Sequence, residues 1–77
     1  MRIRNRTGKN VNLYRIGLSG ETHLLGWLVP NYYGEYKFPS LGSWTIRFCQ
    51  RDDAGNDSNC REKSINVTDT GQEFPVP

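Results

Sequence analysis

The feature that most restricts the fold of this sequence is the regular return of glycine and proline. Wherever apolar residues repeat at the three- and four-residue spacing of a helix, a glycine or a proline interrupts the pattern within eleven residues. Short runs with β character fill the chain between the interruptions, at intervals of about ten residues. We therefore expect an all-β chain with no substantial helix.

The predicted strands cover residues 11–18, 23–29, 32–38, 44–49, 61–67 and 73–76. Ser19-Gly20 turns the chain after the first of them, Pro30 ends the second, and Pro39 and Gly42 bracket the next turn. Neither an internal repeat nor a linker divides the sequence. We predict one domain over residues 1–77, a small antiparallel β-sandwich of about six or seven short strands.

Alternation within the strands predicts the core. Trp44, Ile46 and Phe48 fall on one face of their strand, opposite Thr45 and Arg47. In the first strand the even positions are more apolar than the odd ones. The predicted core consists of Ile16, Leu18, Trp44, Ile46 and Phe48 on facing sheets.

The sequence contains two cysteines, and a bond between them would help to stabilise a domain whose 77 residues leave little room for a core. Cys49 and Cys60 lie symmetrically about Ala54-Gly55, so a hairpin turning there sets them opposite each other and predicts a disulfide. The alternative is a pair of buried thiols in a cytosolic protein. A metal site is not expected, because His23 is the single histidine and no CxxC spacing occurs.

Residues 52–59 between the cysteines are rich in oxygen ligands, yet they do not match the spacing of an EF-hand calcium loop. A tight hairpin would also set Asp52 opposite Asp57, a like-charge pair. A solvated loop is the interpretation we favour over a calcium site.

The charge balance gives little support to a nucleic-acid partner, since ten cations against eight anions leave a net charge of +2. Arg2, Arg4, Arg6 and Lys9 crowd the first ten residues, where we predict a solvated edge strand or arm rather than a phosphate-binding patch. An OB-like nucleic-acid binder is disfavoured, because the aromatic residues are not interleaved with Lys or Arg. No apolar stretch approaches the length of a membrane span.

Catalytic patterns are weak in this sequence. His23 has no nucleophilic Ser or Cys beside it in a recognisable motif, and Glu21, Glu35, Glu62 and Glu73 are scattered without a pairing signal. We predict that the chain is not an enzyme and uses no cofactor.

Several segments occur in the order found in one known family. They are Asn5-Arg6-Thr7, Ser19-Gly20-Glu21, Leu28-Val29-Pro30, Ser40-Leu41-Gly42-Ser43-Trp44, Asp53-Ala54-Gly55, Asn66-Val67-Thr68 and Phe74-Pro75-Val76-Pro77. In these the chain resembles the von Hippel-Lindau β-domain family and its bacterial relatives. The resemblance implies a transthyretin-like sandwich of seven strands.

The best-known domain of that family binds a hydroxyproline-bearing peptide between aromatic side chains, a serine and a histidine. By the resemblance the matching positions here are Arg15, Leu25, Ser40, Ser43 and Thr45, so only the serine is kept. Hydroxyproline recognition is therefore not expected, because the prolyl ring needs apolar walls and its hydroxyl needs a paired donor and acceptor.

The leading hypothesis is a protein- or peptide-binding module, using an exposed sheet edge or a strand face that bears Arg15, Ser43 and Thr45. Ser40 and Tyr33 complete the predicted ligand-binding residues, since Tyr33 falls on a polar strand face. The alternative is a secreted carbohydrate-binding module in which Trp27, Tyr32 and Tyr33 stack on sugar rings.

A disulfide would place the protein in the periplasm or outside the cell, whereas reduced cysteines would allow a cytoplasmic protein. Three triplets, beginning at Asn5, Asn56 and Asn66, also fit the N-glycosylation pattern.

Overall fold

Seven strands make up the computed structural model, which describes residues 1–69 and 71–77 and contains no helix in them. The strands are β1 (Arg2–Asn5), β2 (Val11–Ile16), β3 (Thr22–Leu28), β4 (Tyr33–Glu35), β5 (Gly42–Arg51), β6 (Asp57–Val67) and β7 (Glu73–Val76). They form a three-stranded sheet in the order β4-β1-β7 and a four-stranded sheet in the order β3-β2-β5-β6. The prediction of a small all-β domain is confirmed.

Both sheets contribute apolar side chains to one buried cluster. Ile3 and Val76 come from the three-stranded sheet, while Leu13, Ile46 and Phe48 come from the four-stranded sheet. The alternation predicted for β5 is confirmed, because Ile46 and Phe48 are buried and the half-buried Trp44 packs against the same cluster.

The predicted face of β2 is wrong. Leu13 is paired with Phe48 in β5 and is 0% exposed, so the odd positions of β2 face the core. Ile16 is paired with Thr45 on the opposite face and is half-buried. Leu18 lies beyond the end of the strand, in the turn to β3, where neither sheet covers it, and it is 92% exposed. The prediction failed because Ile16 and Leu18 made the even positions of this strand more apolar than the odd ones, although the even positions face outward.

The cationic N-terminal segment is not an edge strand. β1 lies in the centre of its sheet, antiparallel to β4 and parallel to β7, so the sandwich is not wholly antiparallel as expected. Its arginines point outward and form ion pairs, Arg2 with Glu35 at 2.9 Å and Arg4 with Glu73 at 3.5 Å. Acidic residues on both neighbouring strands allow a basic strand to occupy the centre.

Asn5, at the end of β1, is buried with all of its side-chain hydrogen-bonding capacity used. Its Nδ2 donates to the carbonyls of Lys9 (2.6 Å) and Leu28 (3.1 Å), and its Oδ1 accepts from the backbone N–H (3.0 Å) and hydroxyl (2.7 Å) of Thr7. One side chain thus fixes the turn after β1 and ties it to the end of β3.

The hairpin from β5 to β6 carries the predicted disulfide, and this prediction is confirmed: Cys49 and Cys60 are bonded, with a Cα–Cα distance of 4.0 Å. The register shifts between Phe48 and Gln50, where a bulge with Asn59 at φ 49° adds one residue to β6. Because of this shift Asp57 lies opposite Arg51 rather than Asp52, so the predicted like-charge pair does not form.

β4 is shorter than the predicted strand over residues 32–38, and the chain from Tyr36 to Leu41 crosses one end of the sandwich. A side chain at Gly34 would collide with the ring of Tyr36, which explains the glycine in this strand.

Within the described residues, no helix is long and apolar enough to span a membrane.

Candidate functional site

One end of the sandwich carries an exposed apolar surface. It combines the turn after β2, the connection from β4 to β5 and the first residues of β5. We call it the loop-end surface and define it by Leu18, Ser40, Leu41, Ser43 and Trp44, which line one groove of about 500 Å³. Ser19, Glu21 and Gly42 complete the walls of this groove.

Two leucines give the loop-end surface its apolar character. Leu18 is 92% exposed and Leu41 is 64% exposed. Leu41 also lines an adjoining groove of about 510 Å³ beside Tyr36 and Phe38, and Leu18 lines a third of about 260 Å³ beside Thr45. Exposed apolar side chains that line one groove are typical of surfaces that contact another molecule.

Trp44 is the half-buried member of the loop-end surface, and its neighbours hold it in place. Its indole Nε1 donates to the carbonyl of Ser40 at 2.9 Å, and its ring meets that of Phe38 edge-to-face with 5.4 Å between centroids. Since its N–H is already used and Phe38 packs against it, Trp44 acts as a fixed apolar wall.

Arg15 lies against the same two rings. Its guanidinium carbon is 5.4 Å from the centroid of Trp44 and 5.9 Å from that of Phe38, and its Nη1 donates to the carbonyl of Lys37 at 3.3 Å. Its Nε is buried and has no hydrogen-bond partner among residues 1–69 and 71–77. Arg15 is paired with Ile46 in β5 and with the exposed His23 in β3, so it occupies the inner face near the β3 edge.

The structure brings together only part of the predicted ligand-binding set. Ser40 and Ser43 line the groove of about 500 Å³ on the loop-end surface, which we call the central groove, and Ser43 and Thr45 line the third one. The strand face predicted to bear Arg15, Ser43 and Thr45 does not exist as one face, because Thr45 is paired with Ile16 while Arg15 points inward. Leu25 packs against the core cluster instead of lining a groove.

Tyr33, the remaining predicted residue, lies on the outer face of the three-stranded sheet. It is exposed, as predicted, but the guanidinium of Arg2 is 4.2 Å from its ring centroid and that of Arg4 is 5.3 Å away. Trp27 lies on the other sheet, with the guanidinium of Arg51 at 4.3 Å. The aromatic residues proposed to stack on sugars therefore do not form one platform, and arginines cover two of their rings.

A polar cluster occupies the outer face of the four-stranded sheet near the disulfide. Asp57 accepts hydrogen bonds from Asn12 Nδ2 (2.6 Å) and from the hydroxyl of Tyr14 (2.5 Å), and the bond to Asp57 raises the pKa of Tyr14. Asp57 also lies near both cysteine sulfurs, but these are joined in the disulfide and are not thiolate ligands for a metal.

The three glycosylation triplets differ in accessibility. Asn5 is buried and its amide nitrogen is fully hydrogen-bonded, whereas Asn56 and Asn66 are exposed. Only the latter two present an amide that an enzyme can reach in the folded domain.

Leu18 and Leu41 are the residues of this site that the sequence interpretation missed. A local signal pointed to both: Leu18 immediately precedes Ser19-Gly20, and Leu41 lies between Pro39-Ser40 and Gly42. An apolar side chain within a turn lacks the sheet neighbours that bury a strand residue.

Comparison of the chain with models of protein families, with curated proteins and with solved structures finds no match. The resemblance to the von Hippel-Lindau β-domain family therefore stays a prediction.

Proposed function

We propose that the chain is a non-catalytic binding module whose loop-end surface takes an apolar peptide segment of a partner protein. The observation that carries the proposal is the placement of Leu18 and Leu41, both largely exposed, in the walls of one groove of about 500 Å³. Burying such side chains against a partner contributes about 25 cal/mol for each Å² of apolar surface removed from water.

The polar groups of the groove suit a peptide backbone. Ser40 and Ser43 supply hydroxyls beside the leucines, and a hydroxyl can both donate to a carbonyl and accept from an N–H. An apolar centre with a few polar groups around it is the usual composition of a peptide-binding site.

A peptide fits this site better than a sugar does. Sugar recognition uses an open aromatic face, and at this end of the sandwich Phe38 and Arg15 pack against Trp44. Arg2 and Arg51 likewise cover Tyr33 and Trp27. The carbohydrate-binding alternative would first have to displace these arginines.

The disulfide supports export of the domain to an oxidising compartment, the periplasm or the cell exterior. We include this location in the proposal, and peptides offered there by secreted or cell-surface proteins are the ligands we expect.

Selection from a phage-displayed peptide library on the immobilised domain tests the proposal. Selected peptides are then measured by calorimetry against the double variant Leu18→Asn, Leu41→Asn and against the control Leu24→Asn. Leu24 is 65% exposed but lies on β3 outside the groove. We expect at least tenfold weaker binding to the double variant, which is about 1.4 kcal/mol, and unchanged binding to the control.

Peptides that bind the double variant and the wild type equally would place the site elsewhere. Failure to select any peptide, together with glycan-array binding that is lost in Tyr33→Ala, would replace the proposal with the carbohydrate-binding alternative.

A further inference from the structure

We propose that Arg15 is an anchor for a carboxylate, so that the peptide recognised by this domain carries an acidic group next to its apolar segment. The inference rests on the proposed function, because it names the chemistry of the ligand that the loop-end surface takes.

Arg15 is a partly buried cation without an acidic partner. Within residues 1–69 and 71–77, the ion pairs of the domain involve Arg2, Arg4 and Arg47, and none involves Arg15. The groups that stabilise the charge of Arg15 are the carbonyl of Lys37 and the rings of Phe38 and Trp44.

The donors of Arg15 are incompletely used. One bond of 3.3 Å, from Nη1 to the carbonyl of Lys37, is long, and the buried Nε has no acceptor. A buried donor left without an acceptor is unfavourable for the free domain. A carboxylate can accept two parallel N–H bonds from a guanidinium, and among the described residues no carboxylate pairs with Arg15.

The aromatic walls fix the direction of the guanidinium. Phe38 and Trp44 are themselves locked edge-to-face, and Trp44 is held by its bond to Ser40. The fork of donors is therefore oriented before a ligand arrives, which lowers the entropic cost of binding.

Trp44 connects this anchor to the loop-end surface. One indole both lines the central groove and contacts the guanidinium. A peptide seated on Leu18 and Leu41 therefore reaches Arg15 by passing the edge of Trp44. On the edge strand β3 the neighbour of Arg15 is the exposed His23, whereas the carboxylate of Glu21 lies in the wall of the central groove.

Arg15→Met provides the key variant, since it keeps the apolar stem and removes the charge. The matched control is Arg47→Met on the outer face, where Arg47 pairs with Glu62 at 2.8 Å. Because Arg15→Met also removes an unpaired buried donor, we expect it to melt no lower than the wild type. A marked loss of melting temperature would instead indicate that the aromatic contacts of Arg15 are structural.

Two arms test the anchor. In the first, NMR follows the Arg15 Nε–H and the Trp44 indole N–H while sodium acetate replaces sodium chloride at constant ionic strength. A saturable shift in wild type that is absent in Arg15→Met supports the anchor, and identical spectra in the two salts overturn it. This arm needs no peptide, so its result is independent of the proposed function.

In the second arm, peptides selected on the wild type are compared with versions in which Glu or Asp becomes the amide, and with versions whose C-terminus is amidated. The first change tests a side-chain carboxylate and the second a terminal one. We expect one of these two changes in the peptide to weaken its binding about tenfold when the protein is the wild type or Arg47→Met. The same change should leave binding to Arg15→Met unaltered. Peptides that need Leu18 and Leu41 yet bind Arg15→Met at full strength would overturn the anchor while the proposed function stands.

Discussion

Asn5 and Leu28 join the two sheets of the sandwich through a buried hydrogen bond of 3.1 Å from the Asn5 side chain to the Leu28 carbonyl. Asn5 belongs to β1 of one sheet and Leu28 to β3 of the other. The apolar core lies between the sheets, so this polar contact fixes how one end of the sandwich closes.

Replacing Asn5 by alanine should therefore be strongly destabilising. The variant leaves the buried Leu28 carbonyl without its donor and removes the side-chain bonds to Lys9 and Thr7, and we expect a loss of about 2–4 kcal/mol in the free energy of unfolding. Urea denaturation measures it, with Asn66→Ala on the exposed side of β6 as the control. Equal stability of the two variants would contradict the role given to Asn5.

The corrected face of β2 predicts opposite outcomes for two leucines. Leu13→Ala should cost about 2–5 kcal/mol because it empties a fully buried position, whereas Leu18→Ala should change stability by less than about 0.5 kcal/mol. Thermal denaturation of both variants checks this. A greater loss from Leu18→Ala would restore the face predicted from apolar content alone.

The disulfide should be measurable both as mass and as stability. Intact mass should rise by two hydrogens on reduction, and the double variant Cys49→Ala, Cys60→Ser should lose about 3 kcal/mol, the value expected for a loop of this length. Cys49 is buried, so alanine is chosen there to avoid an unsatisfied hydroxyl. Two free thiols in protein that has never met a reductant would remove both the bridge and the argument for export.

Asp52 should make the β5–β6 hairpin sensitive to acid. Its Oδ1 accepts from the backbone N–H groups of Asn56 (2.8 Å) and Ala54 (2.9 Å), and the bond from Asn56 contributes most to lowering the pKa of this carboxyl below its ordinary value of 3.8. A lowered pKa means that the folded state favours the ionised form. Its contribution to stability is present above the ordinary pKa and is lost as the pH falls through the folded-state pKa.

We therefore expect the stability difference between wild type and Asp52→Asn to shrink on acidification below about pH 4. Urea denaturation between pH 6 and pH 2, in steps of one unit, gives this difference directly. A difference that stays constant over the whole range would show that the ionised carboxylate has no special role in the turn.

The sequence was most informative where a single rule decided the outcome. Alternation in β5 predicted that Ile46 and Phe48 are buried, and the symmetry of Cys49 and Cys60 about Ala54-Gly55 predicted the disulfide. That symmetry succeeds through two features that cancel: the turn is centred on Ala54 rather than between Ala54 and Gly55, and the bulge at Asn59 restores the register. No sequence rule places such a bulge in advance.

Faces and sheet positions were predicted less well, because they depend on partners distant in sequence. The inward face of β2 is decided by its pairing with β5, and the central place of β1 by acidic residues on β4 and β7. At the candidate site the resemblance indicated Arg15, Ser40, Ser43 and Thr45, whereas the apolar pattern of β2 assigned Leu18 to the core. The contacts of Arg15 with Trp44 and Phe38 depend on how the chain from Tyr36 to Leu41 crosses the end of the sandwich.

The parallel pairing of β1 with β7 has a consequence for how the domain is made. Arg2 pairs with Glu73 and Ile3 with Phe74, so the three-stranded sheet cannot close until β7 is available to pair with β1. Until then β1 lacks the partner that supplies Glu73 to its arginines. The four-stranded sheet, built from strands that are nearer in sequence, can assemble earlier. Closing the three-stranded sheet therefore requires pairing two strands that are far apart in sequence, and without β7 the sandwich would stay half-formed with its core open.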